Sequence, residues 1–389
     1  MNIRATFVAM LLVSAMQQAL AQKQNSSPTE SIFIMNGRMS RAHRDTVLIY
    51  YESSQGENLL QSRPIASDRF ILTDSLSHPV SAWIGFKDQG EMLTDSALDA
   101  RLREFYIEPG RIYLSGDPSH PDSIKLIGSK SQDEFVELNK RTADTRKEMQ
   151  PIYDSYYREK DPELAALIGT KLAPYEDRLK MLNYQFFLTH PRSYVTLHEI
   201  IPFVPQLGLD SSKLIYGMLP AYMKQSPDGQ RLAAAIKKVE AVQPGNMASD
   251  FISTDINGNG VSLAECRGSY ILLDFWASWN RNSRQNNVRL MDVYNKYKAK
   301  GFVVISIADN DASPKAWKTA VEKDKLSEWV NVLSGNGTDN DLADKYSVHY
   351  MPTQILIDPT GKIIGRYGDS NNVHADVLLD RQLAVIFKQ

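Results

Sequence analysis

Residues 270–283 read YILLDFWASWNRNS. The first seven, Tyr270–Trp276, are nearly continuously apolar, which suits a short strand covered on both faces, as at the centre of a sheet. The run stops at Ala277-Ser278. Asn280 and Ser283 then offer two residues that cap helix N-termini well, and a helix is expected over Ser283–Lys300. Working outward, Phe302–Ala308 (FVVISIA) is a second buried strand and Pro314–Lys325 a second helix. Gln354–Ile357 and Lys362–Arg366 flank the turn Asp358-Pro359-Thr360-Gly361 as a hairpin, and Val373–Lys388 is an amphipathic terminal helix. Upstream, Gln243-Pro244-Gly245 reads as a linker. The sequence therefore sets an α/β domain over residues 246–389.

The chain ahead of that linker changes character twice. Met1–Ala21 reads as a secretory signal: Arg4, an apolar core Phe7–Ala15 too short to span a bilayer, and the small-x-small site Ala19-Leu20-Ala21, leaving Gln22 as the mature start. No cysteine lies near the cleavage point, so no lipid anchor is expected. The predicted location is exported and soluble, in the periplasm or cell envelope, with no membrane segment left after cleavage. Gln22–Glu30 is a polar leader. Residues 31–128 carry short β-branched and aromatic runs: Ile32–Met35, Thr46–Tyr51, Arg69–Thr73, Val80–Phe86, Glu104–Ile107, Arg111–Leu114 and Ser123–Ile127. Turn formers separate them, which predicts a small antiparallel sandwich or barrel. Residues 129–242 switch to helical spacing. Ser131-x-x-Glu134 reads as a capping box. Leu164, Ile168, Leu172, Tyr175, Leu179, Leu182 and Phe186 fall on one face, opposite Phe135, Leu138, Met149, Ile152 and Tyr156. Shorter helices are expected over Val195–Val204, Ser211–Lys224 and Gly229–Val242. The tyrosines 153, 156, 157, 175 and 184 have the spacing of a groove lining, but packing between helices explains it without a ligand.

Composition narrows the chemistry. The chain has 389 residues, 42% hydrophobic and 23% charged, with a net charge of −2. That is a folded protein with no bulk excess of charge for a polyanion, and no nucleic-acid partner is expected. There is one cysteine. A single thiol excludes an intramolecular disulfide, a Cys-x-x-Cys pair and a cysteine-rich zinc site, although export would permit disulfides.

Four segments, taken in order, resemble the thioredoxin fold in its TlpA-like branch of exported thiol–disulfide oxidoreductases and redoxins. Asp255–Leu263 (DINGNGVSL) resembles the family's opening hairpin. Leu273–Trp279 (LDFWASW) resembles the strand leading into the active site. Tyr350-Met351-Pro352-Thr353 with Ile355–Asp358 resembles the cis-proline loop and the strand after it, and Gly361–Ile364 the closing hairpin. The resemblance implies a central mixed sheet flanked by helices. More weakly, Gly37, Phe70 and Phe105–Gly116 resemble the β-rich domain of unknown function that often precedes it.

The resemblance also exposes a departure. In the family, two cysteines follow Trp279; here the four positions are Asn280-Arg281-Asn282-Ser283. Disulfide exchange needs a thiolate with a lowered pKa at a helix N-terminus and a second thiol to resolve the mixed disulfide. An amide and an unactivated hydroxyl supply neither, so no catalytic residue is assigned. Asp274 stands where some members keep a buried acid for proton transfer; without a thiol it is expected to be a relic or a hydrogen-bonded structural acid. Cys266, the sole thiol, falls outside the expected loop. It reads as an ordinary packed side chain, the alternative being a reactive thiol that works with an external thiol as an oxidoreductase or peroxidase.

What remains is recognition. Arg281 and Arg284 add charge beside the helix N-terminus, a place that can hold an anion. Trp279 and Tyr350 offer apolar walls, and a cis Pro352 followed by Thr353 would present the Met351 backbone to an extended peptide. The expected function is a non-redox peptide- or protein-binding pseudo-oxidoreductase using residues 279–283 and 350–353, with no cofactor and no metal. The other reading is a purely structural module. Asp255-x-Asn257-x-Asn259-Gly260 begins like a calcium loop, but Cys266 stands where a bidentate glutamate is needed, so a hairpin turn is expected. His198-Glu199 lacks the second histidine of a zinc helix, and Arg141–Lys147 reads as a solvated face.

Overall fold

The structure is a computed structural model describing residues 31–40, 46–53, 56–88, 91, 101–159, 164, 168–169, 171–308, 314–335, 341–368 and 375–388. The signal Met1–Ala21 and the leader Gln22–Glu30 lie outside the described residues. The chain packs as two compact units, one ending at Glu137 and one beginning at Leu138.

The first unit holds eight described strands: β1 Ser31–Met39, β2 Thr46–Glu52, β3 Asn58–Pro64, β4 Arg69–Leu76, β5 Val80–Lys87, β6 Arg103–Ile107, β7 Gly110–Gly116 and β8 Lys125–Ile127. They form two four-stranded sheets, β4-β1-β7-β8 and β3-β2-β5-β6. Strict alternation drives this: Phe33, Met35, Leu72, Ile112 and Leu114 from one sheet meet Ile49, Tyr51, Ile84 and Phe105 from the other in a single buried core. The sandwich expected from sequence is there, with one difference: β1 and β7 pair in parallel. Gly37 is needed where it stands, because the ring of Phe70, its cross-strand partner, lies where a Cβ would be.

Helix α1, Lys130–Arg158, opens after this sandwich. Its cap is two residues earlier than the sequence suggested: Ser129 Oγ accepts from Gln132 N at 3.1 Å. Ser131 instead donates to Glu108, whose carboxylate also accepts from the Lys130 and Ser131 backbone. An acid outside the helix thus satisfies orphan N–H groups and complements the dipole. Helix α2 covers Ala173–Thr189 and begins only there, with Pro174 in its first turn. The continuous face from Leu164 to Phe186 is therefore broken, and Leu164 is exposed. Five more helices follow: α3 Tyr194–Glu199, α4 Val204–Leu207, α5 Leu209–Met218, α6 Ala221–Lys224 and α7 Pro227–Ala241. The helix expected over Ser211–Lys224 is two, because Pro220 takes an extended conformation and cannot continue α5.

Strands β9 Ile252–Thr254 and β10 Gly260–Ser262 form the opening hairpin. Its turn is held by Asp255, whose carboxylate accepts from Asn257 N at 2.8 Å and Asn259 N at 2.7 Å, a turn rather than a cation site. A five-stranded mixed sheet follows in the order β13-β12-β11-β14-β15. Its strands are β11 Tyr270–Trp276, β12 Phe302–Ala308, β13 Val330–Leu333, β14 Thr353–Ile357 and β15 Ile363–Tyr367. β11 lies at the centre, parallel to β12 and antiparallel to β14. One sheet face packs Ile271, Leu273 and Phe275 into one core; the other packs Leu272 and Trp276 against helices α8 Arg281–Tyr297, α9 Pro314–Lys323 and α11 Ala375–Phe387. Short α10, Leu342–Lys345, precedes the cis-proline loop. No helix among the described residues is long and apolar enough to cross a membrane.

Candidate functional site

The site grows from the carboxyl end of β11. The strand ends at Trp276, and Asn280 then takes an extended conformation, with its Oδ1 accepting from Ser283 N at 3.0 Å. Asn280 is therefore the N-cap of α8. Ser283, expected from sequence as a second cap, lies inside the first turn: fully buried, its hydroxyl has no partner among the described residues.

Across from this loop, the Met351–Pro352 peptide is cis. Thr353, buried behind it, donates to Tyr350 O at 2.7 Å. Gly368 packs beneath with φ +91°, where a Cβ would stand 2.1 Å from the Pro352 carbonyl oxygen. The sequence offers the Met351 backbone to a peptide; in the structure its carbonyl oxygen already has one partner, because Asn280 Nδ2 donates to Met351 O at 3.2 Å. One amide thus caps the helix with its oxygen and holds the proline loop with its nitrogen. Arg284 is also corrected. Its guanidinium is committed to Asp324 through two bonds of 2.7 and 2.5 Å and does not serve an anion at the helix end. Arg281 is exposed beside the loop.

Asp274 lies beneath, wholly buried. It pairs in register with Gln354 on one side and Ser306 on the other. Gln354 Nε2 donates to its Oδ1 at 2.9 Å, and Asn286 Nδ2 approaches the same oxygen at 3.5 Å. Asn287, with its amide nitrogen turned inward, donates to Oδ2 at 3.1 Å and to Ser283 O at 3.3 Å. Burial pushes the carboxyl up to about 6, against the opposing pull of the Gln354 bond and the Arg289 charge. Of the two expectations for Asp274, the hydrogen-bonded structural acid describes this geometry.

Cys266 is not brought to the site. It sits in a short turn before β11, where Gly268 N donates to Pro359 O at 3.0 Å. Pro352 adjoins the other end of the same strand pair, where Thr353 faces Phe275. The thiol is half-buried, with its sulfur 3.6 Å from Ser262 O, and burial followed by the Glu265 charge raises its pKa. A thiol raised in this way is protonated and slow to attack.

The structure also adds a wall the sequence reading did not choose. A cavity of about 780 Å³ lies between residues 279–282 and 348–351 on one side and the helical segment on the other. Tyr153 and Tyr156 of α1 line it, with Arg146, Leu172 and Glu176. The tyrosine spacing fits a groove lining as well as packing between helices, and two of those tyrosines line this cavity. Arg146, assigned to a solvated face, lines the cavity too. The volume is that of a small-ligand pocket.

A mixed sheet of this order, entered by a hairpin and carrying a helix N-terminus opposite a cis-proline loop, defines a thioredoxin-fold protein. A family model described as thioredoxin-like matches residues 268–363. A thiol-disulfide oxidoreductase ResA of Bacillus cereus is 31% identical over 125 residues, 32% of this chain and 69% of the relative. The ResA of Bacillus subtilis is 27% identical over 32% of this chain and 67% of its own length. Among solved structures, the thioredoxin domain of a thiol-disulfide oxidoreductase from Bacteroides vulgatus is 32% identical, covering 36% of this chain and 97% of that one, with a TM-score of 0.31. The chain belongs to the TlpA-like thioredoxin-fold family of thiol–disulfide oxidoreductases. Within that family it keeps the fold and the cis-proline loop and carries no cysteine at residues 280–283.

Proposed function

We propose that this chain is an exported, non-redox member of its family that binds extended peptide or protein segments at the degenerate loop. The observation that carries the reading is Asn280. It replaces a reactive thiol with an amide that joins the two halves of the site, while the sole thiol lies at the far end of β11. The cavity beside the loop supports binding: Trp279, Tyr350 and Met351 form one wall, and Tyr153 and Tyr156 the other. Export rests on the signal-like Met1–Ala21, so the secreted form should begin at Gln22 on N-terminal sequencing. The binding test is calorimetric titration of the protein with a reduced, carboxymethylated model protein, which is unfolded and carries no free thiol. Binding that weakens about tenfold or more in Trp279→Ala is expected, with no insulin reduction in a dithiothreitol-coupled assay. Insulin turnover that persists in Cys266→Ser overturns the proposal, as does the absence of any binding.

A further inference from the structure

The outer face of the sheet β4-β1-β7-β8 has a charge pattern that the rest of the sandwich does not share. The register places Ile71, Asn36, Tyr113 and Ile127 in one row across all four strands. Two residues along, about 6.7 Å away, Arg69, Arg38, Ser115 and Lys125 form a second row. Ile71 is 64% exposed, Ile127 61% and Tyr113 46%, and the three cations are exposed as well. Further along, Ile32 is exposed, and Arg111 pairs with Ile34 in the remaining rows. No described position of this face is acidic: the one acid of these strands, Asp74, points inward to Tyr51.

The opposite face of the sandwich contrasts with it. There the exposed row Leu60, Tyr50 and Trp83 ends at Glu104, and Glu52 flanks it. The chain as a whole is slightly acidic, at −2. An acid-free face with four cations, on a molecule of the other sign, orients that molecule toward negative charge. The isoleucines and Tyr113 stand on a broad sheet face, in rows that alternate with the cations. An anionic lipid surface supplies what this arrangement takes: phosphates for the guanidinium and ammonium groups, and an apolar layer just beneath for the isoleucines, with tyrosine at the boundary.

We propose that this sheet face docks the protein peripherally on anionic phospholipid headgroups. The inference rests on residues apart from the degenerate loop and stands or falls independently of it. The test is co-sedimentation of the full chain with mixed phosphatidylglycerol–phosphatidylcholine vesicles and with pure phosphatidylcholine vesicles, at low and physiological salt. Met1–Ala21 is present in every arm, so differences between variants report the face alone. Binding is expected with the anionic vesicles, weakening with salt. A basic residue at such a surface contributes about fivefold to partitioning, so Arg38→Gln with Arg69→Gln should weaken binding about 25-fold. Arg69→Lys should keep it, and Ile71→Ser with Ile127→Ser should reduce it. All these positions are exposed, and circular dichroism checks that each variant is folded. Equal binding to both vesicle types, no binding to either, or unchanged binding in the double glutamine variant overturns the proposal. So does binding to soluble polyglutamate without binding to vesicles, which would assign the face to an acidic protein.

Discussion

Asp274→Asn is expected to make the protein more stable at neutral pH and to remove a pH dependence that the wild type carries. The carboxyl is wholly buried, and its pKa is raised from 3.8 to about 6. Because the folded value lies above the unfolded one, the folded state holds the proton more tightly between them. Stability contributed by this group is therefore full below about pH 4 and declines as pH rises through 6. The difference of about two pKa units corresponds to about 3 kcal/mol, lost between pH 4 and 7. Asparagine has the same shape and no charge to desolvate. Its oxygen can accept from Gln354 as Asp274 Oδ1 does, and its nitrogen can donate to Asn287 once that amide turns its oxygen inward. Urea unfolding followed by tryptophan fluorescence suits the assay, since Trp276, Trp317 and Trp329 all lie in this domain's core. The gap in unfolding free energy between variant and wild type should widen by about 3 kcal/mol from pH 4 to pH 7.5. A gap that stays constant with pH, or a variant less stable at pH 7.5 than at pH 4 relative to wild type, refutes the reasoning.

Asn280→Ala removes the cap and the Met351 contact together and should cost about 1–2 kcal/mol in the same unfolding assay. Ser283→Ala removes a buried hydroxyl that has no partner among the described residues, so unfolding should show unchanged or slightly greater stability. Asn280→Cys with Ser283→Cys places two thiols at the α8 N-terminus, and insulin reduction coupled to dithiothreitol should appear where none is expected of the natural chain. Cys266, half-buried and with a raised pKa, should react with an aromatic disulfide reagent several-fold more slowly than a free cysteine at pH 7.5 and speed up as pH rises.

The thioredoxin-like domain was legible because its central strands are nearly continuous apolar runs, each interrupted by one polar residue: Tyr270–Trp276 and Phe302–Ala308 hold to the residue. β3, Asn58–Pro64, was missed because its sequence NLLQSRP alternates at the edge of a sheet without β-branched residues. The Ser131 capping box misled because Ser129, two residues earlier, makes the same bond, and no local rule separates two serines so close. The exchange of cysteines for Asn280 and Ser283 could be read directly. What Asn280 does with its second amide atom could not, since Met351 is 71 residues away. The cavity was hidden for the same reason: its walls come from α1 and from the loop before β14, and spacing within one helix cannot tell a tyrosine facing a neighbour from one facing a void.

The amide of Asn280 has a consequence for time as well as shape. A dithiol member of the family opens and closes a covalent link with the oxidation state of its surroundings and can hold a client through a sulfur bond until a second thiol frees it. Here the bridge between helix and proline loop consists of hydrogen bonds alone, 3.0 and 3.2 Å long, which no reductant or oxidant alters. The Asn280 link is therefore the same in oxidising and reducing surroundings. On the binding role proposed above, a client held there would leave at a rate set by contact strength, with no electron transfer needed for release.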